Sequence, residues 1–429
     1  MTIRDPRWVF KERPSVGLIV GLVLAGLCAL ASFSFDLLDG EPVRFVIALI
    51  LAIAPVPLLL AAVLGLDRLE PEPRSNLIFA FAWGAGIAVL AAGIINSVGL
   101  LYISHAANLE LDDARGIAAT FGAPLVEETM KGLVLLGLLR FRRQELDGPT
   151  DGIIYASMVG LGFAMSENVS YYVAAQSGPV AVQSLAVTVV LRGVLSPFAH
   201  PLFTSMIGVA VAWAAHRHGP GRVFILLAGW VGAMLLHGLW NGLATYGGFP
   251  GLVVAYLVLM AVLFTLIGLV IRDRRRIVAL LQRYLPPYEP TGLISGADVT
   301  MLSSLPARRH ARQWSKAHGG RAGLRAMSDY QLAATELGLL HERASRGGVG
   351  ESVFYEEQRA LLECMRAARA SLPAPPSRVV RFGPQQPPQA PPGQWPQQPS
   401  QPPPGQWPQR PSHGPYGAGP YGGPGQPPR

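Results

Sequence analysis

Seven ionisable side chains stand inside long apolar runs of this chain: Glu127, Glu128, Lys131, Glu167, Arg192, His200 and His237. An ionisable group in hydrocarbon is costly enough that each one is a functional hypothesis. Gly122-Ala-Pro-Leu-Val-Glu127-Glu128-Thr-Met-Lys131 sets two carboxylates near the middle of one run, with a lysine a turn later. At i,i+4 and i,i+3 spacing, Lys131 can pair with either carboxylate and leave the other free. Glu167 and Asn168 follow the small residues Gly160 and Gly162, which allow close helix approach and turn Glu167 toward a bundle interior. His200 shares a helix face with Thr204, and His237 shares one with Asn241. Two imidazoles beside two or three carboxylates and an Asn form either a site that activates water or a metal site of N and O donors. Such donors suit Zn²⁺, which lowers the pKa of its water toward neutrality. The soluble zinc-protease motif His-Glu-x-x-His is absent from the sequence.

The elements that must position these groups are membrane helices. Hydrophobic residues make up 50% of the 429, charged residues only 14%, and the mean hydropathy is +0.32, a balance rare in a soluble domain of this size. Apolar runs near 16–35, 45–66, 77–103, 116–139, 152–175, 184–215, 222–245 and 251–271 each reach the roughly 20 residues needed to cross the bilayer. The first run follows Arg4, Arg7, Lys11 and Arg13 but lacks a convincing cleavage site, so it is retained as a helix. The run at 184–215 contains Pro197 and Pro201 and reads as kinked, or as two segments. Basic clusters at the N-terminus, at Arg140 to Arg143, at His216 to Arg222 and at Arg272 to Arg276 all reach the cytoplasmic side if 184–215 crosses once. The acidic segments Asp36 to Glu41 and Glu110 to Asp113 then lie opposite. The expected fold is therefore all-α, a polytopic membrane helix bundle of about eight spans with both termini in the cytoplasm.

Four regions follow: a cytoplasmic N-terminus at 1–15, a transmembrane domain at 16–271, a partly helical cytoplasmic appendage at 272–372, and a Pro/Gly/Gln-rich tail at 373–429. In the appendage, Leu332, Leu337 and Leu340, then Leu361, Leu362 and Met365, recur at helical spacing. The tail repeats Pro-Pro-Gly-Gln-Trp-Pro-Gln at 391–397 and 403–409; it is expected to be disordered, with polyproline stretches available to a cytoplasmic partner. Cys28 and Cys364 are too far apart in the pattern to build a disulfide frame or a thiolate zinc site. The formal charge of +8 sits mostly between spans and in the tail, which points to a lipid bilayer and not to nucleic acid.

Glu127-Glu128-x-x-Lys131, Asp151-Gly152-Ile-Ile-Tyr155, Phe163-x-x-x-Glu167-Asn168, His200-x-x-Phe203-Thr204 and His237-x-x-Trp240-Asn241, in this order, resemble the PrsW family, bacterial membrane proteases that cleave an anti-sigma factor. The resemblance covers roughly 45 to 271. PrsW is in turn similar to the CAAX prenyl endoproteases and their bacterial relatives, in which an Arg stands four residues beyond the second Glu; here Lys131 stands three beyond it. The resemblance implies an intramembrane metalloprotease acting on a membrane-protein substrate, an anti-sigma factor among the candidates. It implies that Glu127 or Glu128 is the general base, that His200 holds water or metal, and that His237 and Asn241 complete the metal shell or donate to the oxyanion. The implied zinc ligands are drawn from Glu128, Glu167, His200 and His237, with Lys131, Asn168, Arg192 and Thr204 in support. The rival reading is a transporter or channel built on buried Glu, His and Lys. Repeated halves, which many transporters show, are not evident, and the charges cluster on four successive spans.

Overall fold

The computed structural model describes residues 15–373, except 40, 67, 68, 178, 179 and 218. Among these residues every regular element is helical. Helices α1 (Val16–Asp39), α2 (Pro42–Ile53) and α3 (Val56–Leu66) come first, α2 and α3 meeting at Ala54 and Pro55. Helix α4 (Arg74–Ala82) runs through a π-helical turn, Trp83–Ala88, into α5 (Val89–Ala107). A second π turn, Ala118–Gly122, joins α6 (Leu111–Ile117) to α7 (Ala123–Phe141). Then come α8 (Pro149–Ala175) and α9 (Ala181–Val189), whose π-helical extension Val190–Leu195 ends at a break before α10 (Ala199–Ala215). Helices α11 (Pro220–Tyr246) and α12 (Gly248–Tyr284) complete the bundle, followed by α13 (Gly296–Leu302), α14 (Leu305–Ser345) and α15 (Glu351–Ala370).

Among the described residues, six helical stretches are long and apolar enough to cross a membrane: Val16–Asp39, Pro42–Leu66, Arg74–Ala107, Ala181–Ala215, Pro220–Tyr246 and Gly248–Tyr284. Helices α7 and α8 occupy the predicted fourth and fifth spans but are not among the six. Their composition is the reason: α7 carries Glu127, Glu128 and Lys131, and α8 carries Asp151, Ser166, Glu167 and Asn168. Their polar side chains are largely buried within the bundle, so other helices supply what lipid cannot. The 184–215 run forms one candidate span, interrupted at Ser196–Phe198, where Pro197 lacks the N–H that a continuing helix needs.

Helix α8 is the axis of the bundle, buried along nearly its whole length. Gly152 and Gly208 each face the other's carbonyl, so α8 and α10 touch backbone to backbone. Gly160 lies against the start of α10: a Cβ there would stand 2.6 Å from Pro201 N and 2.7 Å from the His200 carbonyl carbon. Gly162 faces the Phe81 carbonyl in the same manner. Small residues substitute here for the hydrophobic drive that lipid cannot provide between helices. Around them Leu135, Tyr155, Val159, Ile207 and Val211 form a closed apolar core.

The expected boundary at 271/272 falls inside α12, which continues unbroken to Tyr284. On this extension α13–α15 pack through Leu281, Leu302, Tyr330, Leu337, Leu340, Leu361 and Met365, all buried. The periodic residues Leu337, Leu340, Leu361 and Met365 are thus core, with Leu332 and Leu362 partly buried beside them. Arg308, fully buried, donates to the Leu69 carbonyl at 2.9 Å and to Gln331 O at 3.2 Å, which fastens α14 to the segment before α4. Arg276 bonds Asp273, Glu342 and the Asp147 carbonyl, fastening α14 and α12 to the segment before α8. The expected N-terminal segment, up to 14, and the expected disordered tail, from 374, lie outside the described residues.

Glu336 stands at this junction, 3.8 Å from Arg343, with Asp147, Glu357 and Glu70 as acidic neighbours. Burial, reinforced by Asp147 and Glu357 against Arg343, raises its pKa from 4.5 to about 7. A raised carboxyl pKa means that the folded state binds the proton more tightly. Its contribution is therefore complete below pH 4.5 and is lost as pH rises through about 7. Hydrogen-exchange protection of α14 and α15 is expected to fall between pH 5 and 8, and Glu336→Gln to flatten that fall. An unchanged slope in the variant would overturn this account.

Candidate catalytic site in the bundle interior

The site is organised around one ammonium. Lys131, with no exposed surface, lies 2.9 Å from Glu128 Oε1, 3.4 Å from Glu127 Oε2 and 3.0 Å from His200 Nδ1. An ammonium has three N–H groups, so all three are engaged. The Phe163 ring sits beneath, its centroid 3.8 Å from Nζ, which adds a cation–π contact. The α-helical register of α7 sets the first two contacts; the third depends on α10 arriving beside Gly160.

The two adjacent carboxylates differ. Glu128 is held tightly: Oε1 meets Lys131 and, at 3.0 Å, His237 Nδ1, while Oε2 accepts from Thr204 Oγ1 at 3.0 Å. Glu127 is held loosely, by Lys131 at 3.4 Å and by Asn96 Nδ2 at 3.4 Å, and its Oε2 stands 3.9 Å from His237 Nε2. Because a carboxylate only accepts, Nδ1 of His237 carries the proton, and its Nε2 lone pair looks across that 3.9 Å gap at Glu127. Phe203 stacks on the His237 ring at 4.7 Å and fixes its plane.

His200 is held from both sides. An ammonium can only donate, so His200 Nδ1 accepts from Lys131, and Nε2–H donates to Glu167 Oε2 at 2.9 Å. Arg192, on the π-helical turn, pairs with the same Glu167 oxygen, donates to Asn168 Oδ1 at 2.7 Å and lies 3.7 Å over the Tyr171 ring. The rings of His200 and His237 are perpendicular, with centroids 5.2 Å apart.

The structure therefore brings Glu127, Glu128, Lys131, Glu167, His200, Thr204 and His237 into one group, with Arg192 and Asn168 behind Glu167. Asn241 turns away from it, donating to the Ala119 carbonyl at 2.8 Å, where the π turn before α7 offers an acceptor. Asn96 joins the site from α5, a span read as lacking ionisable groups; the signal available was that it is the single amide in the 77–103 run.

Glu127, His200 and His237 each offer a donor atom within 4.8 Å of the others'. One carboxylate and two imidazoles form a donor set used by catalytic zinc, and the Glu128–His237 bond is the carboxylate–imidazole contact that orients such ligands. The residues present fit a zinc ion. The lone pair that His200 would give is the one Lys131 now uses, so metal and ammonium compete for it.

Residues 72–267 match the model of the PrsW family intramembrane metalloproteases. The chain is 30% identical over 190 residues to Protease PrsW of Oceanobacillus iheyensis, covering 44% of this chain and 79% of that protein. It is 28% identical over 192 residues to Protease PrsW of Geobacillus kaustophilus, covering 44% of this chain and 76% of the relative. Over 204 residues it is 27% identical to Protease PrsW of Clostridioides difficile, covering 45% and 76%. No solved structure matches the chain. All of the residues grouped above fall inside the matched segment.

Breaking a buried ion pair by removing one partner costs about 3–5 kcal/mol. Lys131→Met is therefore expected to lower the thermal midpoint and the yield of folded protein sharply, and adding Glu127→Gln and Glu128→Gln to recover much of both. Equal stability of Lys131→Met and the parent, measured in one detergent, would show that the ammonium is not the organising charge.

Proposed function

The chain belongs to the PrsW family of intramembrane metalloproteases, and on that premise we propose a division of labour between its two adjacent carboxylates. Glu127 is the base and Glu128 the residue that orients His237. The observation that carries this is the contrast in their bonding: three contacts at 2.9–3.0 Å commit Glu128 to Lys131, His237 and Thr204, whereas Glu127 faces the His237 lone pair across 3.9 Å with two long bonds of its own.

Glu127, His200 and His237 would hold the metal, with Glu167 bonded to His200 from outside. When bound, zinc supplies a water of lowered pKa and polarises the peptide carbonyl. Glu127 would take a proton from the attacking water as the water oxygen bonds to the scissile carbonyl carbon, then give it to the amine nitrogen as the C–N bond breaks. Arg192 and Asn168 keep Glu167 in place against His200, and Thr204 keeps Glu128 against His237. Asn241 holds the turn ahead of α7 and thereby the register of Glu127. The substrate is a membrane-spanning protein, an anti-sigma factor on the sequence resemblance. Both termini face the cytoplasm, where the Pro-rich tail is open to a partner.

Glu127→Gln is expected to lower cleavage of a single-span reporter substrate by at least ~100-fold with bound zinc reduced, as befits a base that also borders the ion. Glu128→Gln is expected to weaken zinc affinity by about 10–100-fold while leaving residual cleavage at saturating zinc. Full cleavage by the Glu127→Gln protein, or no zinc in the purified parent, would defeat the assignment. For topology, a reporter active only outside the cytoplasm, fused after Pro373, should stay silent; strong activity would reverse the orientation.

A further inference from the structure

Away from the catalytic group, a cavity of about 330 Å³ opens at the end of the bundle where α10 stops, α8 begins and α12 passes beyond the apolar core. One wall is apolar, made by Ala212, Trp213 and Leu269; Trp213 is half exposed. The other wall is cationic, made by Arg272, Arg276 and Arg346, with His216 at its edge. Two acidic residues also line it, and both are already answered. Asp273 bonds Arg276 at 3.0 Å and Thr150 Oγ1 at 2.7 Å, and Asp147 lies 3.6 Å from Arg343.

The cations are not answered to the same degree. Arg276 spends its donors on Glu342, Asp273 and the Asp147 carbonyl. Among the described residues Arg346 commits only Nη2, to Glu342 at 2.5 Å, though a guanidinium has five N–H groups. Arg272 is exposed and has no ion-pair partner among the described residues. A surplus of guanidinium donors beside a tryptophan, at the level where the apolar helices end, matches an amphipathic anion. Interfacial Trp marks the headgroup level, and basic pockets between membrane helices take lipid head groups.

We propose that this cavity binds the headgroup phosphate of an anionic phospholipid, with Arg272 and the unspent N–H groups of Arg346 on the phosphate and the start of the acyl chains against Trp213 and Leu269. The site lies among α8, α10 and α12 and the arginine-bonded junction with α14, so the lipid becomes part of that junction. The ligand is a lipid and not a free phosphate, because half of the lining offers nothing to a small hydrated anion.

The test uses the full chain in detergent, with native mass spectrometry of retained lipid after exposure to equal amounts of phosphatidylglycerol and phosphatidylcholine. The parent should retain phosphatidylglycerol in preference. Arg272→Gln should cut that preference about fivefold, the equivalent of ~1 kcal/mol for one basic residue at a membrane surface, and Arg272→Lys should restore most of it. Arg222→Gln, a basic residue at the same end but outside the cavity lining, should leave it unchanged. Equal retention of the two lipids, no effect of Arg272→Gln, or an equal effect of Arg222→Gln would each overturn the proposal. Displacement of phosphatidylglycerol by comparable concentrations of glycerol 3-phosphate would do so as well, by showing that the site takes a free phosphate.

Discussion

The interior of this bundle depends on the charge of Lys131. Three acceptors from two helices converge on it, each too costly to bury alone, and the low dielectric that makes them costly also strengthens their attraction to a single cation. Remove the ammonium and Glu127, Glu128 and His200 lose their common partner. The same charge sets the tautomer of His200 and leaves its other nitrogen to Glu167. The site's protonation pattern is thus a consequence of one helix's i,i+3 and i,i+4 spacing, extended by one contact from a second helix.

That contact requires α8 to be thin. Glycines at 152, 160 and 162 let α10 and the turn near Phe81 approach the α8 backbone itself, which brings His200 within reach of α7. The three π-helical turns sit around this packed centre: one against α8, one directly before the Glu127 helix and holding Asn241, and one carrying Arg192. Each shifts the helical phase by a fraction of a turn. π turns are found often at functional sites, and here they re-aim side chains that a regular helix would present elsewhere.

The composition of the site was legible in the sequence because charge inside an apolar run has few innocent explanations. The four spans carrying Glu127, Glu128, Lys131, Glu167, Arg192, His200 and His237 were marked by that criterion alone, and all seven meet in space. What spacing could not reveal was the difference between Glu127 and Glu128. Neighbours on a helix point about 100° apart, and only the positions of Thr204 and His237, more than 70 residues away, make one tightly held and the other available. Asn96 was hidden because a neutral amide in a span draws little notice, and Asn241 because i,i+4 spacing to His237 fixes a shared face but not the partner. The boundary after Ile271 was drawn at the arginine run, yet charge ends a membrane span without ending a helix, and α12 continues to Tyr284.

Helix α7 also has a history imposed by the order in which the chain is made. It is synthesised before every residue on α8, α10 and α11 that later satisfies it; His237 follows Glu128 by 109 positions. Through that interval α7, too polar for lipid on its own composition, has its internal Lys131 pairings and the Asn96 amide of the earlier α5 with which to mute its carboxylates. The ion pairs that later arrange the site are the same ones available to carry the helix through biogenesis. A nascent chain ending before α10 presents to its insertion machinery a span that is charged and half-compensated.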